Sequence, residues 1–142
     1  MNVLLRPSSA ARAGIAGIAL ALCAASAWSA DALKLSGDQE VPPVKTTATG
    51  AGTITIAPDG GVSGSVTTTG MNGTMAHIHQ AAMGKNGPVI VPLTKSGDGT
   101  WSVPPGSKLT ADQMKAYQAG DLYVNVHTEA NKGGEIRAQL KP

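Results

Sequence analysis

Residues 53–69 read Thr53-Ile54-Thr55-Ile56-Ala57-Pro58-Asp59-Gly60-Gly61-Val62-Ser63-Gly64-Ser65-Val66-Thr67-Thr68-Thr69. The first four residues alternate polar and apolar β-branched side chains, the period of a strand with one face buried. The run stops at Pro58-Asp59-Gly60-Gly61, a turn signal in which Pro presets φ and Gly accepts a positive one. A second Val-, Ser- and Thr-rich run follows, so the stretch predicts an antiparallel hairpin. Working outward, Leu33 and Leu35 alternate with polar neighbours, and Met75–His79, Val89–Leu93, Thr100–Val103, Leu122–Thr128 and Glu135–Leu140 read as further short strands. Short β-branched runs between Gly-rich turns predict an all-β fold, an antiparallel sandwich or barrel.

One segment departs from this period. Thr110-Ala111-Asp112-Gln113-Met114-Lys115-Ala116-Tyr117-Gln118-Ala119-Gly120 reads as a short helix near 110–119. Thr110 is the N-cap, Gln113 takes the capping-box position and Gly120 stops the helix. Leu109, Met114 and Tyr117 fall on its buried face. The chain has no Phe, so the core must be built from Val, Ile, Leu and Ala. No long-period repeat is present.

Residues 1–30 read as a Sec-type secretory signal. Arg6 and Arg12 give a basic start, Ala13–Ala25 is the apolar stretch, and Ala25-Ser26-Ala27 or Ala27-Trp28-Ser29 supplies a cleavage site, near 27–30,. The arginines are not adjacent, which argues against a twin-arginine signal, and the apolar run is too short for a membrane span. Cys23, the only cysteine, lies inside that run. Leu20-Ala21-Leu22-Cys23 resembles a lipobox, but Leu22 is bulky where that motif takes a small residue. Removal with the signal is therefore preferred to a lipid anchor. Cleavage leaves about 112–115 residues, enough for one domain, here 31–142, with one core and no disulfide. It also removes two of the 11 basic residues, leaving nine against the nine acidic ones. A mature chain near neutrality has no basic stripe for nucleic acid or anionic lipid. The expected location is the periplasm or the exterior.

His77-Ile78-His79 and Val124-Asn125-Val126-His127 contain the chain's three histidines. On a strand, side chains two apart share a face, so His77 and His79 project side by side. His127, on a second strand, closes a three-nitrogen site for copper or zinc if the two strands are neighbours. Met75 and Met83, with Met71, flank the pair and offer soft thioether ligands. The competing reading is a hydrogen-bonded cluster that orients the loop 80–88, and for the methionines it is gap-filling in a core short of aromatics. Glu135 and Arg137 lie on one strand face and read as a surface ion pair, worth roughly 0–1 kcal/mol. Glu40-Val41-Pro42-Pro43 reads as a stiff crossing at a corner of the fold.

Several ordered motifs carry a family resemblance: Leu35-Ser36-Gly37-Asp38-Gln39-Glu40-Val41-Pro42-Pro43-Val44, Ala76-His77-Ile78-His79, Gly87-Pro88-Val89, Gly120-Asp121-Leu122-Tyr123-Val124-Asn125-Val126-His127-Thr128 and Gly133-Gly134-Glu135-Ile136-Arg137-Ala138-Gln139-Leu140. Together they resemble the CHRD domain, named after repeats in chordin and widespread in exported bacterial proteins, over about Ala32 to Leu140. The resemblance implies a β-rich extracytoplasmic domain and no settled activity. A more distant similarity to copper/zinc superoxide dismutases, in the His-x-His strand and the Arg of the last strand, implies a Greek-key sandwich. Three histidines are too few for the two-metal site of those enzymes.

No nucleophile elbow and no phosphate-cradling Gly-Lys-Ser/Thr loop is present,. Three readings follow: an exported binding module holding copper or zinc through His77, His79 and His127; a metal-free protein-interaction or matrix module; and a superoxide-dismutase-like copper enzyme, which the ligand count disfavours. An enzymatic role is not expected.

Overall fold

The computed structural model of the chain describes residues 32–142. The expected signal segment, with Cys23, lies outside the described residues. The hairpin expected from residues 53–69 forms. Strands β2 (Thr49–Ile56) and β3 (Val62–Thr69) pair antiparallel from Thr49↔Thr69 to Ile56↔Val62. Its turn follows the side-chain chemistry. Gly60 N–H donates to Ala57 O, Gly61 N–H donates to Asp59 Oδ1, and Gly60 takes a φ of 87° that its missing Cβ permits,.

The remaining strands are β1 (Leu33–Leu35), β4 (Met75–Gln80), β5 (Val89–Pro92), β6 (Thr94–Gly97), β7 (Thr100–Ser102), β8 (Leu122–His127) and β9 (Ile136–Leu140). One sheet has the order β1-β2-β3-β7-β6 and the other β5-β4-β8-β9. All ladders are antiparallel. β3 lies beside β7 and β4 beside β8, so the chain passes between sheets after β3, β5 and β7 in Greek-key fashion. The fold is an all-β sandwich with one short helix, as the alternating pattern predicts.

The inner faces meet in an aliphatic core. Val66, Ile78, Leu122, Val124, Val126 and Ile136 are each 0 % exposed, and Trp101 and Tyr117 are its aromatic members. Helix α1 (Ala111–Gln118) contributes Tyr117 to this core. Thr110 Oγ1 accepts from Gln113 N–H, while Gln113 Oε1 accepts from Thr110 N–H, completing the expected capping box,. The helix ends in a Schellman arrangement: Asp121 N–H donates to Ala116 O and Gly120 N–H to Tyr117 O,. Leu109 and Tyr117 are buried and Met114 packs against the core, as expected. No described helix is long and apolar enough to cross a membrane.

One strand starts earlier than the sequence pattern predicts, and one strand is additional to it. β2 begins at Thr49, because its Gly-rich first half pairs with β1 through Leu35↔Gly50 and Leu33↔Gly52. A Cβ at Gly50 would stand 3.0 Å from Ile136 Cδ1 and 3.1 Å from Leu35 Cβ, so the glycine there makes room for both sheets to meet,. β6 carries no apolar residue and all four of its residues are exposed. It is a polar edge strand, protected by Lys95 and invisible to a hydrophobic pattern.

Replacing Ile78 by Ala opens a void between the sheets and should lower stability to urea by about 2–5 kcal/mol. Thr110→Ala, which removes only the cap, should lower it by about 1 kcal/mol. Equal urea midpoints for Ile78→Ala and the parent would show that the two sheets do not share this core.

Candidate metal centre

Along β4, Ala76 and Ile78 turn into the core, which leaves Met75, His77 and His79 on the outer face,. Along β8, Leu122, Val124 and Val126 turn inward and Tyr123, Asn125 and His127 outward. The register sets Met75 opposite His127, His77 opposite Asn125 and His79 opposite Tyr123. All six residues of β8 are nevertheless buried. Loop segments 81–87, 129–134 and 37–44 cover much of this outer face.

The three histidines converge. One ligand nitrogen from each of His77, His79 and His127 lies within 4.8 Å of the other two. His77 Nδ1 and His127 Nε2 are 3.0 Å apart. The loops determine the tautomers. His79 Nδ1–H donates to Gly87 O at 2.9 Å, and His127 Nδ1–H donates to Lys132 O at 2.9 Å. Each ring therefore keeps its Nε2 lone pair free of hydrogen. The His79 Nε2 atom is buried and has no hydrogen-bond partner, and neither does Asn125 Oδ1 beside it. His77, half-buried, forms the more open side of the group.

The electrostatics favour neutral rings. Burial lowers the His77 pKa to about 4, assisted by repulsion from His127 and His79. Burial also lowers His79, against the pull of Gly87 O and of the Asn125 side chain, with repulsion from His127 and Arg137 adding to the depression. Burial lowers His127, opposed by its bond to Lys132 O. Neutral imidazoles with inward lone pairs are the ligand form of histidine. A tetrahedral ion with bonds of about 2.0–2.1 Å spans about 3.3 Å between nitrogens. The His77–His127 spacing already suits neighbouring ligands, and the widest pair would have to close by about 1.5 Å. His77 need only move its proton from Nδ1 to Nε2.

A stack lies beside this cluster. Tyr123 is parallel to His79 (ring centroids 4.7 Å apart, 1° between planes), and the Arg137 guanidinium carbon sits 3.6 Å from the Tyr123 ring centroid. Arg137 Nε is 3.2 Å from Glu40 Oε2, and both side chains are almost fully buried. Its other nitrogens donate to Lys85 O and Asn86 Oδ1. Burial pushes the Glu40 carboxyl above its ordinary range, outweighing the opposing pull of Arg137 and Asn125.

The expected Glu135–Arg137 surface pair does not form. Arg137 turns to Glu40, and Glu135 instead accepts from Thr46, Thr128 and Asn131. Burial raises the Glu135 pKa, but these three donors together hold it below the usual carboxylate value. Glu40 is thus an ion-pair anchor as well as part of a corner crossing. Tyr123, Asn125 and His127 were legible as one face from their spacing of two. Glu40 and Asn86 carry no local signal.

The flanking methionines occupy different places. Met75 shares the histidine face and is 51 % exposed. Met83 lines a cavity of about 470 Å³ with Glu40, Val41, Pro43 and Arg137, and none of the three histidines lines it. Met71 packs against the core.

The CHRD domain model matches residues 32–140. The chain belongs to the CHRD domain family. Comparison with curated proteins and with solved structures gave no match. The matched span of this CHRD domain contains all three histidines and the Glu40–Arg137 pair.

The depressed histidine pKa values set a pH dependence for the metal-free domain. Unfolded histidines take up protons below about pH 6.5, whereas the folded cluster resists protonation. This contribution to stability is present above pH 6.5 and is lost as the pH falls toward 4. In NMR the His77 ring resonances should hold steady from pH 8 to 5 and titrate near 4. Midpoints near 6.5 for all three histidines would refute the buried neutral cluster.

Proposed function

We propose that this CHRD domain is an exported binding module that holds one transition-metal ion, copper or zinc, through His77, His79 and His127. The observation that carries the reading is the convergence of one nitrogen from each of three imidazoles within 4.8 Å, together with a buried His79 Nε2 that has no donor. A buried acceptor without a partner is disfavoured by about 1–3 kcal/mol, and a cation supplies the missing partner. The carbonyls of Gly87 and Lys132 act as outer supports that fix ring orientation, the usual arrangement behind metal-bound imidazoles. The chain has only three histidines, so the site is read as mononuclear, and a two-metal superoxide-dismutase-like centre is not proposed.

Titration with Cu(II) and Zn(II) tests this. The parent should take up one equivalent. His77→Ala should stay folded, because His77 is only half-buried and holds no loop carbonyl, and should bind at least about tenfold more weakly. Equal uptake by parent and variant would remove the site.

The two carbonyl bonds also favour a second reading, a metal-free interaction module in which the histidines only fasten loops 81–88 and 129–134. It expects no stoichiometric uptake of either metal.

Export is proposed from the composition of residues 1–30: a basic start, an apolar run and small residues before the domain,. The domain would occupy residues 31–142, in the periplasm or outside the cell. Intact mass of the protein recovered from an expressing cell should correspond to a chain beginning just after residues 27–30. A full-length mass in the exported fraction would refute cleavage there, and a chain beginning at a lipidated Cys23 would replace the soluble form with an anchored one.

A further inference from the structure

Among the described residues, the large apolar side chains left exposed are Met75, Met83 and Val89. Two of these adjoin the histidine cluster in register: Met75 is the cross-strand partner of His127, and Val89 that of His79. The gap-filling role that suits Met71 and Met114, both packed against the core, does not account for Met75, which is 51 % exposed. Met75 is two residues from His77 on the same strand face. Directly opposed residues in an antiparallel pair have Cβ atoms about 4.5–5.5 Å apart. Three rotatable bonds let a methionine thioether sweep a wide volume from such a position. His77 Nδ1 and His127 Nε2, 3.0 Å apart, mark the side of the cluster that Met75 flanks. No cysteine occurs among the described residues, so methionine is the sulfur donor available there.

The geometry points to Met75 as a fourth, soft ligand, which makes the site one for copper and able to hold it as Cu(I). This inference rests on the three-histidine reading and narrows it. Zinc and Cu(II) are well served by imidazole alone, whereas a thioether adds affinity chiefly for Cu(I). Met83 is assigned no part, because it lines the cavity beside Glu40 and Arg137.

The test is an anaerobic competition for Cu(I) against a chromophoric Cu(I) chelator, run on the parent, Met75→Leu and Met83→Leu. Leucine keeps the bulk and apolarity of an exposed position, so folding should be unaffected. The expected result is one Cu(I) per parent chain, affinity weakened by about tenfold or more in Met75→Leu, and parental affinity in Met83→Leu. Cu(II) and Zn(II) affinities should agree across all three. The X-ray absorption spectrum of the Cu(I) form should show a sulfur scatterer in the parent that is missing from Met75→Leu. Tight Cu(I) binding that is unchanged in Met75→Leu overturns the Met75 assignment and leaves the histidine site standing. A parent that binds neither Cu(I), Cu(II) nor Zn(II) overturns both.

Discussion

The arrangement of the outer face depends on one buried charge, the Arg137 guanidinium. It sits on β9, the edge of its sheet, where a long cation would ordinarily reach water. Here it is 2 % exposed, and partners approach it from three segments. Glu40 reaches it from the segment before β2, Lys85 O and Asn86 Oδ1 from the loop after β4, and Tyr123 from β8 lies against its plane. A buried ion pair is a poor source of net stability, because desolvation offsets most of the attraction. Removing one partner is another matter: an uncompensated buried charge destabilises by about 3–5 kcal/mol. The pair therefore acts as a geometric constraint, in that the covering loops must come to Arg137 or leave a charge unanswered.

The histidine cluster inherits its order from that constraint. The loop that presents Lys85 O and Asn86 Oδ1 to Arg137 goes on to present Gly87 O to His79 and Gly87 N–H to the Tyr123 hydroxyl. Tyr123 is held on one side by Arg137 and stacks on His79 with the other. The His79 ring is thus fixed in plane by stacking and in rotation by a carbonyl. His127 is fixed by Lys132 O in the loop that also offers Gly133 O to Asn125. A Cβ at Gly134 would lie 2.5 Å from Asn125 Nδ2, and that glycine sits at φ 126°, so the residue type is what allows the loop to press onto the sheet,.

Much of this was legible in the residues. The hairpin at 53–69, the helix with its cap and stop, and the shared face of His77 and His79 all follow from period, turn chemistry and capping. The approach of His127 did not. It needs β4 and β8 as neighbours, two strands more than 40 positions apart, and no local pattern announces a non-consecutive pairing. β8 reads from the sequence only as a short strand. Both its faces are buried because loops, not a third sheet, cover the polar side. Glu40 was hidden for the same reason: a lone carboxylate in a Pro-containing crossing resembles solvent-exposed chain until its partner from the far end of the sequence is known.

The structural and the ligand roles of the histidines are consistent with one another. A ring that gives its Nδ1 proton to a loop carbonyl is a loop fastener, and by the same act it becomes a neutral base with Nε2 pointing elsewhere. His79 and His127 both do this, and each contributes a nitrogen to the group within 4.8 Å. A purely structural cluster would gain by ending each chain of hydrogen bonds on a donor, as the His77–His127 contact does. At His79 that donor is missing, and Asn125 contributes a second unanswered acceptor beside it. Two buried acceptors, His79 Nε2 and Asn125 Oδ1, lack a donor there. Arg137 does not supply one, because its guanidinium stacks on Tyr123 and faces Glu40. The outer face of this CHRD domain therefore pairs its charges at one end of the stack, where Arg137 meets Glu40, and gathers neutral imidazoles at the other.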